Sequence, residues 1–227
     1  MKLHSASLNW ITPECEKTIA RHARVSTKNP DREEFVKLLS FCVRHGHWSV
    51  FEQASASFEV LTTRAISPQI LRHRSFAFQE LSQRYSDPSE ILVGDGNEFE
   101  FQLRLQTPDN RQSSADEVSP EVRDYFWNKL KSIDSELKHL YHEMLDHGIA
   151  KECARNVLPE YTTTRLHISG TIRSFIHYVG LRGKENTQLE HRSIARSIGA
   201  VLKKELPIVC TALKTVEDSS LAGWEFG

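Results

Sequence analysis

Gln69 to Ser86, reading QILRHRSFAFQELSQRYS, gathers the chain's densest set of side chains able to do chemistry. Arg72, His73, Arg74 and Arg84 surround an apolar-aromatic run, and Glu80, Ser82 and Gln83 are interleaved. On a helix, three consecutive residues point about 100° apart. Arg72, His73 and Arg74 would then not share one solvated face, and at least one would turn inward. A buried cation needs an anionic partner. Glu80 is the local carboxylate and would make a structural ion-pair knot. The other reading is a bound anion, and phosphate suits a guanidinium fork best.

Three further clusters have the right residue types. Trp48-Ser49-Val50-Phe51-Glu52-Gln53 precedes a strand-like run. Arg155, in Arg155-Asn156-Val157-Leu158-Pro159, either meets the carbonyls of a helix C-terminus or faces a ligand. Arg173 and His177, in RSFIHYVGLR, lie four apart and share a helical face; Arg182 follows Gly180. Taken alone, His177 beside Phe175 and Ile176 reads as a hydrogen-bonded structural histidine, and Arg173 and Arg182 as solvated. His45-Gly46-His47 is not supported as a metal site by a Cys or acidic partner at ligand spacing, so no metal is expected. Cys15, Cys42, Cys153 and Cys210 lack zinc-site spacing and are expected as reduced, partly buried thiols.

The elements that must position these groups are legible as patterns. Lys2 to Trp10 suits an edge strand. Thr12-Pro13-Glu14 opens a helix to about Ala23. Asp31 caps a helix in which Phe35, Leu38, Leu39, Cys42 and Val43 recur at helical spacing up to Gly46. Ala54 to Val60 alternates as a half-buried strand. Ser67-Pro68 starts a helix carrying Gln69 to Arg74, unless that helix begins near Thr62. Glu98 to Gln106 alternates as a second strand, and residues 107–119 form an exposed polar loop. Ser119-Pro120-Glu121 opens the longest helix, ending at Gly148. Its stripe (Val122, Tyr125, Phe126, Leu130, Ile133, Leu137, Leu140, Tyr141, Met144) is expected in the core. A short helix ends by Val157, and Tyr161 to Ser169 is a strand. Helices follow over 170–181, from a Thr187–Glu190 capping box to about Leu206, and from Pro207. Strands and about six helices in unsegregated order predict an α+β single domain over 1–227.

With 227 residues, 39% hydrophobic and 26% charged, the composition is that of an ordinary soluble domain. A net charge of −1 gives no global pull toward nucleic acid or anionic membrane. The start MKLHSASLNW does not read as a signal peptide, and no apolar run is long enough to span a bilayer. A cytoplasmic protein is expected, with no nucleic-acid and no membrane partner.

Arg72-His73-Arg74, seven residues, then Ser82, with Glu80 to Tyr85 as extension, resembles the signature of the flavin-dependent thymidylate synthases, the ThyX family. The three other clusters are similar to that family's remaining motifs in order and spacing, so the resemblance spans about Ala23 to Leu206. It implies a ThyX-like fold, a small, mostly antiparallel sheet flanked by about six helices. It implies reductive methylation of dUMP to dTMP, with 5,10-methylenetetrahydrofolate as carbon donor, FAD reduced by NADPH as hydride donor, and no cysteine nucleophile. It further implies a homotetramer with shared active sites. Carried over by position, Gln69, Arg72, Glu80, Ser82, Gln83, Arg84, Arg155 and Arg182 would bind dUMP, with Arg182 the catalytic group against the uracil ring. Ser55, Arg72, His73, Arg74, Glu80, Thr171, Arg173 and His177, with Ile172 beside them, would bind FAD. The sequence departs at Gln53, where many members carry His, at Thr171 for a family Asn, and at Asn186 for a His in some members. Gln53 can donate and accept hydrogen bonds but cannot protonate, so no acid-base role is expected of it. A non-catalytic nucleotide-binding module and a nucleic-acid binder are the competing classes; neutral net charge weighs against the second.

Overall fold

The computed structural model describes residues 1–88, 102–111, 113–216 and 219–224. Among the described residues there are six strands and eight α-helices. The order is β1 (Ser5–Ile11), α1 (Cys15–Ala23), α2 (Val36–Arg44), a 3-10 turn (Trp48–Glu52), β2 (Ser55–Thr63), α3 (Ser67–Leu71), β3 (Ala77–Glu80), β4 (Arg104–Gln106) and β5 (Ser114–Glu117). Then come α4 (Pro120–Asp146), α5 (Lys151–Ala154) with a 3-10 turn (Arg155–Val157), β6 (Thr163–Thr171), α6 (Ile172–Arg182), α7 (Leu189–Glu205), α8 (Pro207–Leu213) and a 3-10 segment (Ser219–Trp224). The fold is mixed α and β with a small antiparallel sheet, as the sequence predicts. The chain divides into two compact units: Met1–Leu61 with Gln69–Gln79 and Leu166–Gly227, and Thr62–Pro68 with Glu80–Arg165.

The four-stranded sheet has the order β1-β2-β6-β3. β1 is the predicted edge strand and pairs antiparallel with β2, with a bulge between Leu8 and Trp10. In the first unit, Ser197 of α7 covers part of that edge: its hydroxyl accepts from the Ala6 N–H (3.1 Å) and donates to the Ala6 carbonyl (3.0 Å). Such side-chain cover blunts a strand edge that would otherwise invite pairing with another chain. Gly170 of β6 has a steric reason: a Cβ there would lie 2.5 Å from Phe76 Cδ1. Phe76 can therefore pack on Phe175 of α6, ring centroids 4.7 Å apart, and Phe175 on Phe58 of β2 at 5.0 Å. Phe58, Phe175, Ile168, Ile194 and Leu202 are fully buried, each burial contributing roughly 1.5–3 kcal/mol.

The helix stops at Gly46 and Gly148 are where the sequence places them. Both adopt φ near the left-handed region, +67° and +76°. Past α2, His47 N–H reaches the Cys42 carbonyl (2.8 Å) and Gly46 N–H that of Val43 (3.2 Å), the paired bonds of a Schellman stop. Ser119 caps α4, its hydroxyl accepting from Val122 N–H.

Other boundaries differ from expectation. Thr12 does not cap α1; its hydroxyl accepts from Ser55 N–H (2.9 Å) and so pins the start of β2. Asp31 does not cap α2, which begins after Phe35; it pairs with Arg21 at 2.8 Å. α6 starts at Ile172 rather than Gly170, because Thr171 is its cap and accepts from Ser174 N–H at 3.2 Å. The Thr187–Glu190 capping box does not form: Gln188 stands at the cap position of α7. α3 ends at Leu71, so Arg72 to Arg74 are not helical, and β3 follows where no strand was expected. A sequence signal for β3 existed, since Phe76 and Phe78 alternate with Ala77 and Gln79, and the burial follows it, with Ala77 and Gln79 exposed.

In the second unit, β5 pairs antiparallel with β4 inside the stretch expected as loop. All four β5 residues are exposed, so no apolar alternation marks it. Gln106 closes the turn by donating to the Asn110 and Ser113 carbonyls, both at 2.8 Å. Of the strand expected over 98–106, residues 98–101 lie outside the described residues, and the last three form β4. The α4 stripe also departs from expectation. Among its buried residues are only Asp134 and Tyr141, whereas Val122, Tyr125, Phe126, Ile133 and Leu140 are exposed on the single chain, Tyr125 by 55%.

Candidate functional site

In the first unit, the turn after α3 decides where the Arg-His-Arg groups go. His73 N–H donates to the Ile70 carbonyl (3.0 Å) and Phe76 N–H to that of His73 (3.2 Å). This turn carries His73 inward and leaves Arg72 and Arg74 exposed. The inward member is therefore the one that can be neutral. Burial, and next the Arg182 cation, lower the His73 pKa to about 4. Arg182, in the last turn of α6, donates from Nε to His73 Nε2 at 3.0 Å. An accepting Nε2 puts the His73 proton on Nδ1. Among the described residues no other partner engages this guanidinium, so its terminal nitrogens are left for a ligand.

Tyr178, Gln188 and His191 complete this cluster, and the sequence reading missed all three. The His73 ring stands edge-on to Tyr178, centroids 4.9 Å apart. His191 is fully buried, with Nε2 3.0 Å from the Tyr178 hydroxyl and Nδ1 3.4 Å from Gln69 Oε1. Gln69 Nε2 donates to Gln188 Oε1 at 2.7 Å. Burial first, then Arg182, then His73 lower the His191 pKa to about 3. A detectable signal existed: Gln188 and His191 are three apart at the start of a helix and so share a face.

The remaining first-unit residues line up along α6 and its surroundings. Arg173 is ion-paired with Glu52 of the 3-10 turn, and His177 stacks edge-on against Trp48, centroids 5.1 Å apart. Thr171 serves as the helix cap described above. Ser55 is half-buried at the start of β2, and Gln53 and Asn186 are exposed.

In the second unit, Glu80 pairs with Arg64 and accepts from the Thr164 hydroxyl at 3.0 Å. Its side chain is 14% exposed. The ion-pair knot expected around Glu80 is thus corrected: its partner is Arg64 from the end of β2, not Arg72, Arg74 or Arg84. Arg84 meets Glu152 at 3.1 Å in an exposed pair. Ser82 and Gln83 sit in the turn closed by Tyr85 and Ser86 N–H on the Ser82 carbonyl. Arg155 is half-buried on the 3-10 turn after α5. Among the described residues, none of Arg72, Arg74 and Arg155 has a carboxylate partner.

Three cysteines are chemically quiet. Burial above all raises Cys15 and Cys210 to about 12, and it raises Cys42 as well; a thiol, not a thiolate, stands at each near neutral pH. Cys153 is exposed. Among the described residues no group of three His, Cys, Asp or Glu could hold a metal ion, and no helix is long and apolar enough to cross a membrane.

Comparison with known proteins gives these arrangements a family. Residues 7–208 match the family described as "Thymidylate synthase complementing protein". The chain belongs to this family, that of the flavin-dependent thymidylate synthases. It is 44% identical over 199 residues to the flavin-dependent thymidylate synthase of Synechocystis sp., covering 88% of this chain and 89% of the relative. It is 42% identical over 205 residues to the probable flavin-dependent thymidylate synthase of Paramecium bursaria Chlorella virus 1, covering 88% and 91%. Among solved structures, the fold is shared with the UMP/dUMP methylase PolB from Streptomyces cacaoi, bound with 5-Br dUMP. There the TM-score is 0.78 at 24% identity, covering 95% of this chain and 98% of that one.

Proposed function

We propose that this chain carries out the reaction for which its family is named, the reductive methylation of dUMP to dTMP. In this reading 5,10-methylenetetrahydrofolate donates the carbon, and FAD, reduced by NADPH, is the cofactor. The observation that carries it is the Arg182–His73 pair, an arginine fixed through Nε by a neutral histidine, its guanidinium with no other hydrogen-bond partner among the described residues.

The chemistry requires uracil carbon 5 to become nucleophilic. A guanidinium against N3 and its neighbouring carbonyl stabilises negative charge developing on the ring, and it must never deprotonate. That is the role assigned to Arg182. Gln69, Arg72, Glu80, Ser82 and Gln83 are assigned to the nucleotide, with Arg84 and Arg155 on its phosphate, fixing orientation. The Arg84–Glu152 pair is exposed and so worth little; a phosphate readily replaces the carboxylate.

FAD supplies the hydride chemistry when bound. Its fit is supported by Arg72 and Arg74, exposed guanidiniums without a carboxylate partner among the described residues, which suit a diphosphate. Ser55, His73, Glu80, Thr171, Arg173 and His177 are assigned to the same cofactor. The chain acts as one functional domain over 1–227 in the cytoplasm, and as a homotetramer with active sites shared between subunits. The exposed apolar face of α4 supports self-association, since a patch of that kind marks an interaction surface.

The test is direct. The purified protein should be yellow, bleach under NADPH, and release tritium from carbon-5-labelled dUMP when methylenetetrahydrofolate is present. A colourless protein without tritium release defeats the reading. One that binds dUMP without tritium release is instead a nucleotide-binding module.

No cysteine is needed as nucleophile. Single Cys→Ala changes at 15, 42, 153 and 210 are therefore expected to leave turnover within a few-fold of wild type, allowing for modest stability losses. Iodoacetamide on the native protein should label Cys153 alone, read by mass spectrometry, without abolishing activity. A folded single variant with no activity would refute this.

A further inference from the structure

The geometry points to His191 as a positioning residue: it holds the Gln69 amide so that one N–H is presented to an oxygen acceptor of the bound pyrimidine nucleotide. This rests on the assignment of Gln69 to dUMP, and no other role has been given to His191.

The protons run along the chain Tyr178–His191–Gln69–Gln188, buried at Tyr178 and His191, half-buried at Gln69 and exposed at Gln188. Tyr178 is buried, and burial raises its pKa, so its phenol keeps its proton. Among the described residues that hydroxyl has one hydrogen-bond partner, His191 Nε2 at 3.0 Å. A buried donor is satisfied in nearly all native structures, so the phenol donates and Nε2 accepts. A fully buried His191 beside Arg182 stays neutral. A neutral imidazole accepting at Nε2 carries its proton on Nδ1. Nδ1 then donates to Gln69 Oε1, at 3.4 Å a long bond. With the oxygen so engaged, the amide nitrogen has two protons, and one goes to Gln188 Oε1 at 2.7 Å. The second is left as a donor for a ligand.

The reverse polarity would need His191 to donate to Tyr178, and the phenol proton would then lack an acceptor among the described residues. Tyr178 thus selects the tautomer, His191 selects the amide orientation, and Gln69 reads an acceptor. Arg182 and Gln69 are each held by a neutral histidine, half-buried His73 and buried His191, which pre-organises two ligand-facing groups at once.

The experiment is a double-mutant cycle with dUMP itself as probe. His191→Phe keeps ring volume but neither hydrogen bond, and should weaken dUMP binding roughly five- to tenfold. Gln69→Ala should weaken it at least as much. Gln69→Glu, which keeps an acceptor but loses the donor, should match Gln69→Ala. The double variant His191→Phe/Gln69→Ala should bind no worse than Gln69→Ala alone, because His191 acts through Gln69. Tyr178→Phe frees the tautomer and should show a smaller loss in the same direction; it also serves if His191→Phe does not fold. Nitrogen-15 shifts of His191 in the nucleotide-free protein should report a protonated Nδ1.

Unchanged dUMP affinity in folded His191→Phe, losses that simply add in the double variant, or a protonated Nε2 each overturn the assignment. A wild-type protein that does not bind dUMP, with Nδ1 protonated as expected, overturns it through the function reading rather than through the proton chain.

Discussion

Arg182→Ala is expected to lower kcat/KM for dUMP by about 10²- to 10³-fold, the scale for removing one pre-organised donor from developing charge, while the protein still folds and stays yellow. Three features set that expectation. The guanidinium cannot be silenced by pH. Its Nε is committed to His73 at 3.0 Å, so its orientation is fixed before a ligand arrives. It is also the charge that, after burial, holds His73 and His191 low. Removing it should let both histidine pKa values rise toward, but not reach, 6.5, because burial remains; histidine titration by NMR reads this without substrate. Arg182→Lys should stay well below wild type in tritium release, since an ammonium on a flexible stem cannot bond His73 and a pyrimidine edge in the same geometry. Full turnover in either variant would remove Arg182 from the chemistry.

How much of this was legible in the sequence depended on whether a residue's partner was local. Ser119, Gly46 and Gly148 act within one turn of helix, and they stop or start helices where read. The β2 alternation was also clear, because a sheet with one covered face writes its own period of two. Thr12 and Asp31 failed as caps because each found a partner elsewhere, Ser55 and Arg21, and the Thr187–Glu190 box failed because Gln188, not Thr187, stands at the cap position of α7. The Arg-His-Arg residues are not helical, because α3 ends at Leu71 and the turn to β3 sends the neutral member inward and spares both arginines from burial. The α4 stripe was read correctly as apolar, but nothing in a single sequence says whether such a face meets its own core or another surface. The arginines of the candidate site were found through their motif. His191, Tyr178 and Arg64 were not: His191 meets Gln69 across 122 residues, and the Tyr178–His191 and Arg64–Glu80 contacts each join two different segments, so no helix or strand spacing links the partners.

The second large effect concerns the C-terminal segment, which lies beyond the matched residues 7–208. Trp224 is 1% exposed, and its Nε1 donates to the Ile176 carbonyl at 2.9 Å. Leu221 is buried beside it. The segment Ser219–Trp224 lies so close to α6 that a Cβ on Gly180 would fall 2.7 Å from the Ser220 carbonyl oxygen and 2.9 Å from Leu221 Cα. Those are backbone atoms, so no rotamer change relieves the clash. Gly180→Ala should therefore cost about 1–3 kcal/mol by overpacking, and Trp224→Ala about 3–5 kcal/mol by emptying a buried aromatic site. Against a total stability of roughly 5–15 kcal/mol, either loss is large. Both variants should melt at lower temperature and become cleavable by trypsin after the exposed Lys214. α6 also carries Arg173, His177 and Arg182, so loosening the segment should lower affinity for dUMP and flavin even where the fold survives. Wild-type melting and protease resistance in Gly180→Ala would show that the segment is not held against the helix in this way.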